Sequence, residues 1–246
     1  MSKALLVVFV LVSVVFALCY RFSQTGTSDS VVSGKLLLTL MASAIVISLI
    51  LAVYHLVIIA IGVYQQSNSY DAGMVLTLLV ALIPVVLVAR LVFAASAVPS
   101  IHDISSDTAN PPIFQYALAA RQASDNSLDY SEQVAEQQRL AYPHIQPLLL
   151  SQPAMEVIAI ISRVIEHMGW SVQGSYNEEG MTYIEAYDKT TVLGFIDDVV
   201  IRVSVEDAGQ TRVDMRSASR AGVSDLGTNA QRIEVFMALM QQQAQH

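Results

Sequence analysis

The feature that most constrains this chain is an apolar run over residues 36–64 that contains no aspartate, glutamate, lysine or arginine. At a rise of about 1.5 Å per residue, such a run crosses a bilayer with some tilt. Two further apolar runs flank it. One covers residues 4–20 behind Lys3; the other covers residues 73–98 and is interrupted by Pro84 and Arg90. Inside lipid every backbone polar group must be satisfied internally, so runs of this kind are read as helices. The pattern predicts three transmembrane helices, at about 4–20, 36–64 and 73–98, within a membrane region of residues 1–98. The first run also has the length of a signal peptide. Phe16, Ala17 and Leu18 before Cys19 lack a small-x-small cleavage pattern, which favours an uncleaved helix.

His55 and Arg90 interrupt the apolar surface. Counted from the helix ends, they differ in depth by roughly 12 Å, too far apart for a proton relay. His55 is expected to bond a neighbouring backbone carbonyl, and Arg90 to snorkel towards the interface. Lys3, Arg21 and Lys35 are spread so evenly around the first two runs that basic residues leave the orientation undecided.

Past residue 98 the composition changes. Four basic and two acidic residues lie up to Ser100, against nine basic and nineteen acidic from Ile101 onward. Residues 99–246 therefore read as an acidic soluble domain. Its charge repels phosphate backbones, which argues against nucleic acid as a partner. Cys19 is the only cysteine, so neither an intramolecular disulfide nor a cysteine metal site can form.

Within this domain, residues 127–141 have helix-forming composition. Ala154, Val157, Ile158, Ile161, Val164, Ile165 and Met168 follow at helical spacing and stop at Gly169. Four alternating segments, about 170–176, 181–187, 198–206 and 210–216, read as strands. A last helix starts near Ser224 or Asp225 and carries Leu226, Ala230, Ile233, Met237 and Met240. The expected fold is a membrane-anchored α+β chain: three transmembrane helices, then a four-stranded antiparallel sheet with two flanking helices on one face. Counting back from a short turn at Glu206 and Gln210 sets Arg202 opposite Asp214 and Val200 opposite Arg216. The helix-free face then carries Asp198, Arg202, Asp214 and Arg216, with Tyr183, Glu185 and Tyr187.

Two constellations follow. The first is this arginine-bearing face, extended by Arg220, Asp225, Asn229 and Arg232. Arginine offers a planar donor fork to a carboxylate or phosphate ligand, yet an acidic domain also holds enough carboxylates to satisfy each arginine internally. The second is the stretch IHDISSDTANPP (residues 101–112), with His102, Asp103, Asp107 and Asn110. His102, Asp103 and Asp107, completed by Asp197 and Asp198, are acceptable metal ligands. A single histidine without helical spacing argues against a metal site. The better reading is a strap, with Asp103 or Asp107 in bonding reach of Arg202, Arg216 or Arg220. No nucleophile elbow, phosphate loop or dinucleotide fingerprint is present, and no catalytic residue, metal or cofactor is assigned.

The stretches IHDISSDTANPP, YPHIQPL, LGFIDDVVIRV and VDMRSASRAGVSDLGTNAQRI, in that order, resemble domain-of-unknown-function family 1499 over about residues 101–239. Relatives occur in bacterial envelopes and in plastids, often behind a signal or transit sequence. The resemblance covers none of the three helices; it implies an extracytoplasmic domain, which, added to the three predicted helices, gives a multi-pass protein of the bacterial inner membrane with a cytoplasmic N-terminus and a periplasmic C-terminal domain. It brings no established reaction. The expected function is binding of an envelope protein or a small polar or lipidic ligand, with the bilayer as a constant partner. Two alternatives stand beside it: a metal-dependent or acid–base hydrolase using residues 101–112, and a structural accessory subunit of a membrane complex.

Overall fold

The structure, a computed structural model, describes residues 30–65, 72–190, 194–207 and 209–245. The chain divides into two compact units, residues 1–97 with 191–194 and residues 98–190 with 195–246. In the first unit, α1 (Ser30–Tyr64) packs against α2 (Ala72–Ser96). Helix α1 is apolar on its exposed side too, with Val46, Ile50, Val53 and Leu56 uncovered. His55 is buried, and its Nδ1 donates to the Leu51 carbonyl one turn earlier, at 2.8 Å, as expected from the sequence.

Three transmembrane helices are not what the structure contains. Among the described residues, one stretch is long and apolar enough to cross a membrane, Ile45–Tyr64 near the N-terminus. Residues 4–20 lie outside the described residues; α2 runs as one continuous helix through Pro84 and an exposed Arg90, but no such stretch is found within it among the described residues.

The second unit is built on a six-stranded antiparallel sheet rather than four strands. Its strands are β1 (Asp103–Ser105), β2 (Leu148–Leu150), β3 (Ser171–Glu178), β4 (Met181–Lys189), β5 (Ile196–Val205) and β6 (Thr211–Ser219). The order is β1-β6-β5-β4-β3, with β2 also on β6. The two unexpected strands share the outer edge of β6, where Asp103 faces Ala218 and Leu148 faces Val213. Each has three residues, too few for a period of two to be read. The register of the longer pair is the one counted from the sequence, with Arg202 opposite Asp214 and Val200 opposite Arg216.

Alternation sends Val199, Ile201, Val203, Val213 and Met215 to one face, where α5 (Ala154–Met168) and α6 (Thr228–Gln243) cover them. Helix α5 contributes Val157, Ile160, Ile161, Val164 and Ile165, then ends on Gly169 in the left-handed conformation. Helix α6 contributes Ala230, Ile233, Phe236 and Met240. It begins at Thr228, later than expected, because the Asp225 carboxylate accepts from the Gly227 and Asn229 amides ahead of the first turn. Leu226 is consequently outside the helix and exposed.

The opposite face, expected to be helix-free, is covered as well. The segment between β1 and α4 (Glu132–Ala141) crosses it and forms a short helix on the way, α3 (Tyr116–Ala120). Phe114 and Ala117 from this strap meet Tyr183, Val200 and Ala218 of the sheet in a second, smaller core, joined by Leu128 and Tyr176. The domain is a helix–sheet–strap sandwich.

Candidate functional site

The strap face of the sheet carries charge in rows that the strand register creates. Tyr176, Tyr183, Arg202 and Asp214 form one row across β3 to β6; Gly174, Glu185, Val200 and Arg216 form the next; Tyr187, Asp198 and Ala218 form a third. Every charge in these rows is met by a partner.

In the first row, Asp214 is fully buried and accepts from Arg202 Nε at 3.0 Å and Nη2 at 2.8 Å, and from Arg212 Nε at 3.1 Å. Asp107 closes the cluster from the strap. Its Oδ2 lies 3.1 Å from Arg202 Nη2 and 2.8 Å from Arg212 Nη2, while Oδ1 takes the amides of Ala109 and Asn110. Asn110 itself is exposed and takes part through its backbone.

In the second row, Asp103 grips Arg216 in a bidentate pair at 2.9 and 2.7 Å, with both side chains buried. The same guanidinium donates to the carbonyls of Pro112 and Leu128, and lies 5.1 Å from the Phe114 ring and 5.4 Å from the Tyr130 ring. Arg216 therefore ties β1 to the strap, which it holds at Pro112 and Leu128, and is packed between two of the strap's aromatic rings. Either Asp103 or Asp107 was expected to reach one of the sheet arginines; both do.

In the third row, Asp198 serves two arginines. It accepts from Arg121 Nε at 2.9 Å and from Arg220 Nε and Nη2 at 2.9 and 2.7 Å. Burial depresses the Arg121 guanidinium, with Asp198 opposing that shift. Glu185, fully buried, turns both oxygens onto the first amides of α3, those of Gln115, Tyr116 and Ala117, at 2.6, 3.0 and 2.8 Å. A five-residue helix has little stability of its own; a carboxylate on its unpaired amides supplies what it lacks.

Arg232, Asn229 and Asp225 do not belong to this face. Arg232 lies on the helix side of the sheet, where it pairs with Asp188 and Asp197 at 2.9 and 2.6 Å and donates to Ser217 Oγ. Asn229, buried beside it, donates to the His102 carbonyl and to Ser219 Oγ. The His102 backbone is thus part of the fold, and the residue is half-buried. Among the described residues, no group of three or more His, Cys, Asp or Glu side chains is arranged to hold a metal ion. Asp103, Asp107 and Asp198, the acids a hydrolytic site would draw on, are each turned onto arginines.

A family model described as Protein of unknown function (DUF1499) matches residues 103–240. The chain belongs to this family. No curated protein matches it. The matched span of the DUF1499 domain opens at Asp103, the acid that locks Arg216, and ends within α6, so it takes in the strap, the sheet and both covering helices.

Sequence reasoning missed several members of the site. Arg121 sits in an irregular stretch without periodicity; alternation places Glu185 on the right face, but its role as the cap of α3 was not foreseen, because α3 itself was not. Tyr130 donates to Gln138 Oε1 at 2.7 Å, and Gln138 in turn clamps the Ser105 backbone through N–H and C=O. Burial, with help from Asp103, raises the Tyr130 phenol. Gly174 carries the clearest signal: a Cβ there would lie 2.5 Å from the Tyr116 ring, so glycine is what lets that ring lie against the strand.

Proposed function

We propose that this chain is a membrane-tethered, non-catalytic domain of the cell envelope that binds a protein partner through α3 and the adjoining edge strand β3. The observation that carries this reading is the way α3 is mounted. Glu185, Gly174 and the Arg216 clasp fix a short helix whose large side chains face outward: Tyr116 and Leu118 are exposed, as is Ile113 just ahead of the helix, and Tyr176 of β3 donates to the Ile113 carbonyl at 2.6 Å. Burying those side chains would serve stability better, so fixing them outward favours recognition. Tyrosines at such a surface anchor partners at low entropic cost: Tyr116 lies 6.3 Å from Tyr176, which stacks on Tyr183 at 4.6 Å. The surface spreads over a helix and a strand, which suits a protein better than a small molecule. The stretch Ile45–Tyr64 supports the tether. Against catalysis stands the commitment of Asp103, Asp107 and Asp198 to arginines.

The test is site-specific photo-crosslinking of the full chain in cells. A photoreactive residue at Leu118 is expected to give a protein adduct of discrete mass that is missing from an equivalent residue at Leu140, which is exposed on α4. Gly174→Ala, which displaces Tyr116, is expected to weaken the adduct while the domain stays folded. The same adducts at both positions would overturn the reading.

A further inference from the structure

The loop between β6 and α6, residues 221–227, is built to hold two apolar side chains in the open. Val223 is 79% exposed and Leu226 45%. Neither side chain is loose by neglect, because the loop is tied down at Gly222, Ser224, Asp225, Leu226 and Gly227. Asn126 Nδ2 donates to the Gly222 carbonyl, the Asp225 backbone amide donates to the Ile101 carbonyl, and the Leu226 backbone amide donates to Ser224 Oγ. Ser224 Oγ also reaches the Pro99 carbonyl, and Gly227 packs against Val98 and Tyr142. Leu226 is held at φ 56, a left-handed conformation that a leucine adopts only under constraint.

The charges of this region are withdrawn from solvent or spent. Asp225 points inward onto two amides, and Arg220 is bound to Asp198. What the loop offers outward is valine, leucine and small residues, with nothing charged to desolvate. Its packing partners, residues 98–101, are the first of the domain; two positions earlier, at Ser96, the apolar helix α2 ends.

We propose that residues 221–227 form a lipid-contact loop, with Val223 and Leu226 inserting into the bilayer interface beside the point where the chain enters the domain. The proposal rests on the membrane-tethered reading and adds the surface by which the domain sits on the bilayer. The contact is apolar rather than electrostatic: from Ile101 onward the chain has nineteen acidic and nine basic residues, so anionic lipid would repel the domain and zwitterionic lipid suffices.

The experiment uses the full chain with Cys19→Ala and a single cysteine, either Val223→Cys or Asp207→Cys, carrying an environment-sensitive fluorophore. Asp207 lies at the far end of β6, roughly 30 Å away along nine residues of strand. The labelled chains are reconstituted into phosphatidylcholine vesicles with and without spin-labelled phosphatidylcholine, and flotation is measured first. The expected result is co-flotation, with quenching at position 223 severalfold greater than at 207. Leu226→Asp in the 223-labelled chain is expected to remove most of that quenching; aspartate accepts a left-handed backbone more readily than leucine, so the loop keeps its shape. Chains that float while 223 and 207 are quenched equally would overturn the lipid contact alone. Chains that do not float would overturn the tether, and the lipid contact with it.

Discussion

Removing the charge of Asp103 is the sharpest perturbation of the strap. Asp103→Asn keeps the shape and deletes the anion that faces the Arg216 guanidinium at 2.9 and 2.7 Å, with side-chain exposures of 4% and 5%. Breaking one partner of a buried pair costs about 3–5 kcal/mol, because the other charge is left uncompensated. A domain of this size has a stability of roughly 7–20 kcal/mol, so the variant still folds. With a urea slope of about 2 kcal/mol per molar, the midpoint is expected to fall by roughly 1.5–2.5 M. The readout is built in: Trp170 is the only tryptophan, buried and stacked on Phe236 at 5.8 Å, so its fluorescence follows this domain and not the N-terminal unit. Asp103→Leu with Arg216→Met is expected to recover part of the loss, giving a coupling of about 2 kcal/mol. A midpoint shift for Asp103→Asn below about 0.3 M, equivalent to well under 1 kcal/mol, would show that water already solvates the pair and would refute the reasoning.

Three further outcomes follow from the same geometry. Gly174→Ala drives a Cβ into the Tyr116 ring and is expected to cost about 1–3 kcal/mol; adding Tyr116→Ala should return much of it in the same urea assay. Glu185→Gln withdraws the charge from the α3 amides, and limited trypsin digestion should then cut after Arg121 at least tenfold faster than in the parent chain. Burial raises the Tyr130, Tyr142 and Tyr176 phenols above their ordinary value. The unfolded chain thus loses these protons first, and stability is full below about pH 10 and falls as pH rises through the raised values. A urea midpoint unchanged between pH 9 and 11 would contradict that sign.

The sheet was legible where alternation ran long enough to fix a register. Val199, Ile201 and Val203 against Arg202 and Ser204 give the two faces of β5, and a short turn at Glu206 then dictates the pairs with β6. The strap was legible only as chemistry. Asp103 and Asp107 stand in a stretch with no period, and an acidic residue near a free arginine face invites the pairing that the structure contains. Its shape was not legible, because residues 106–131 are fixed by single contacts far apart in sequence, such as Glu185 with Ala117 and Arg121 with Asp198. Arg232 and Asn229 were assigned to the wrong face for a related reason: a loop residue has no parity, and only the docking of α6 decides which side of the sheet it meets. In the first unit, hydropathy marked three apolar runs but counts residues rather than crossings, and the described helices support one.

The central claim is that residues 106–131 are a packed layer of the domain, locked by charge, rather than a mobile loop over a ligand face. Native-state hydrogen exchange of the full chain, followed by mass spectrometry on peptides from this segment, tests it most directly. The amides of Gln115, Tyr116 and Ala117 bond to Glu185, and those of Ala109 and Asn110 bond to Asp107. They are expected to exchange about 10³-fold or more slower than free peptide, in step with β5 and β6, and to lose that protection in Asp103→Asn. Exchange of the segment at free-peptide rates while the sheet stays protected would contradict the account.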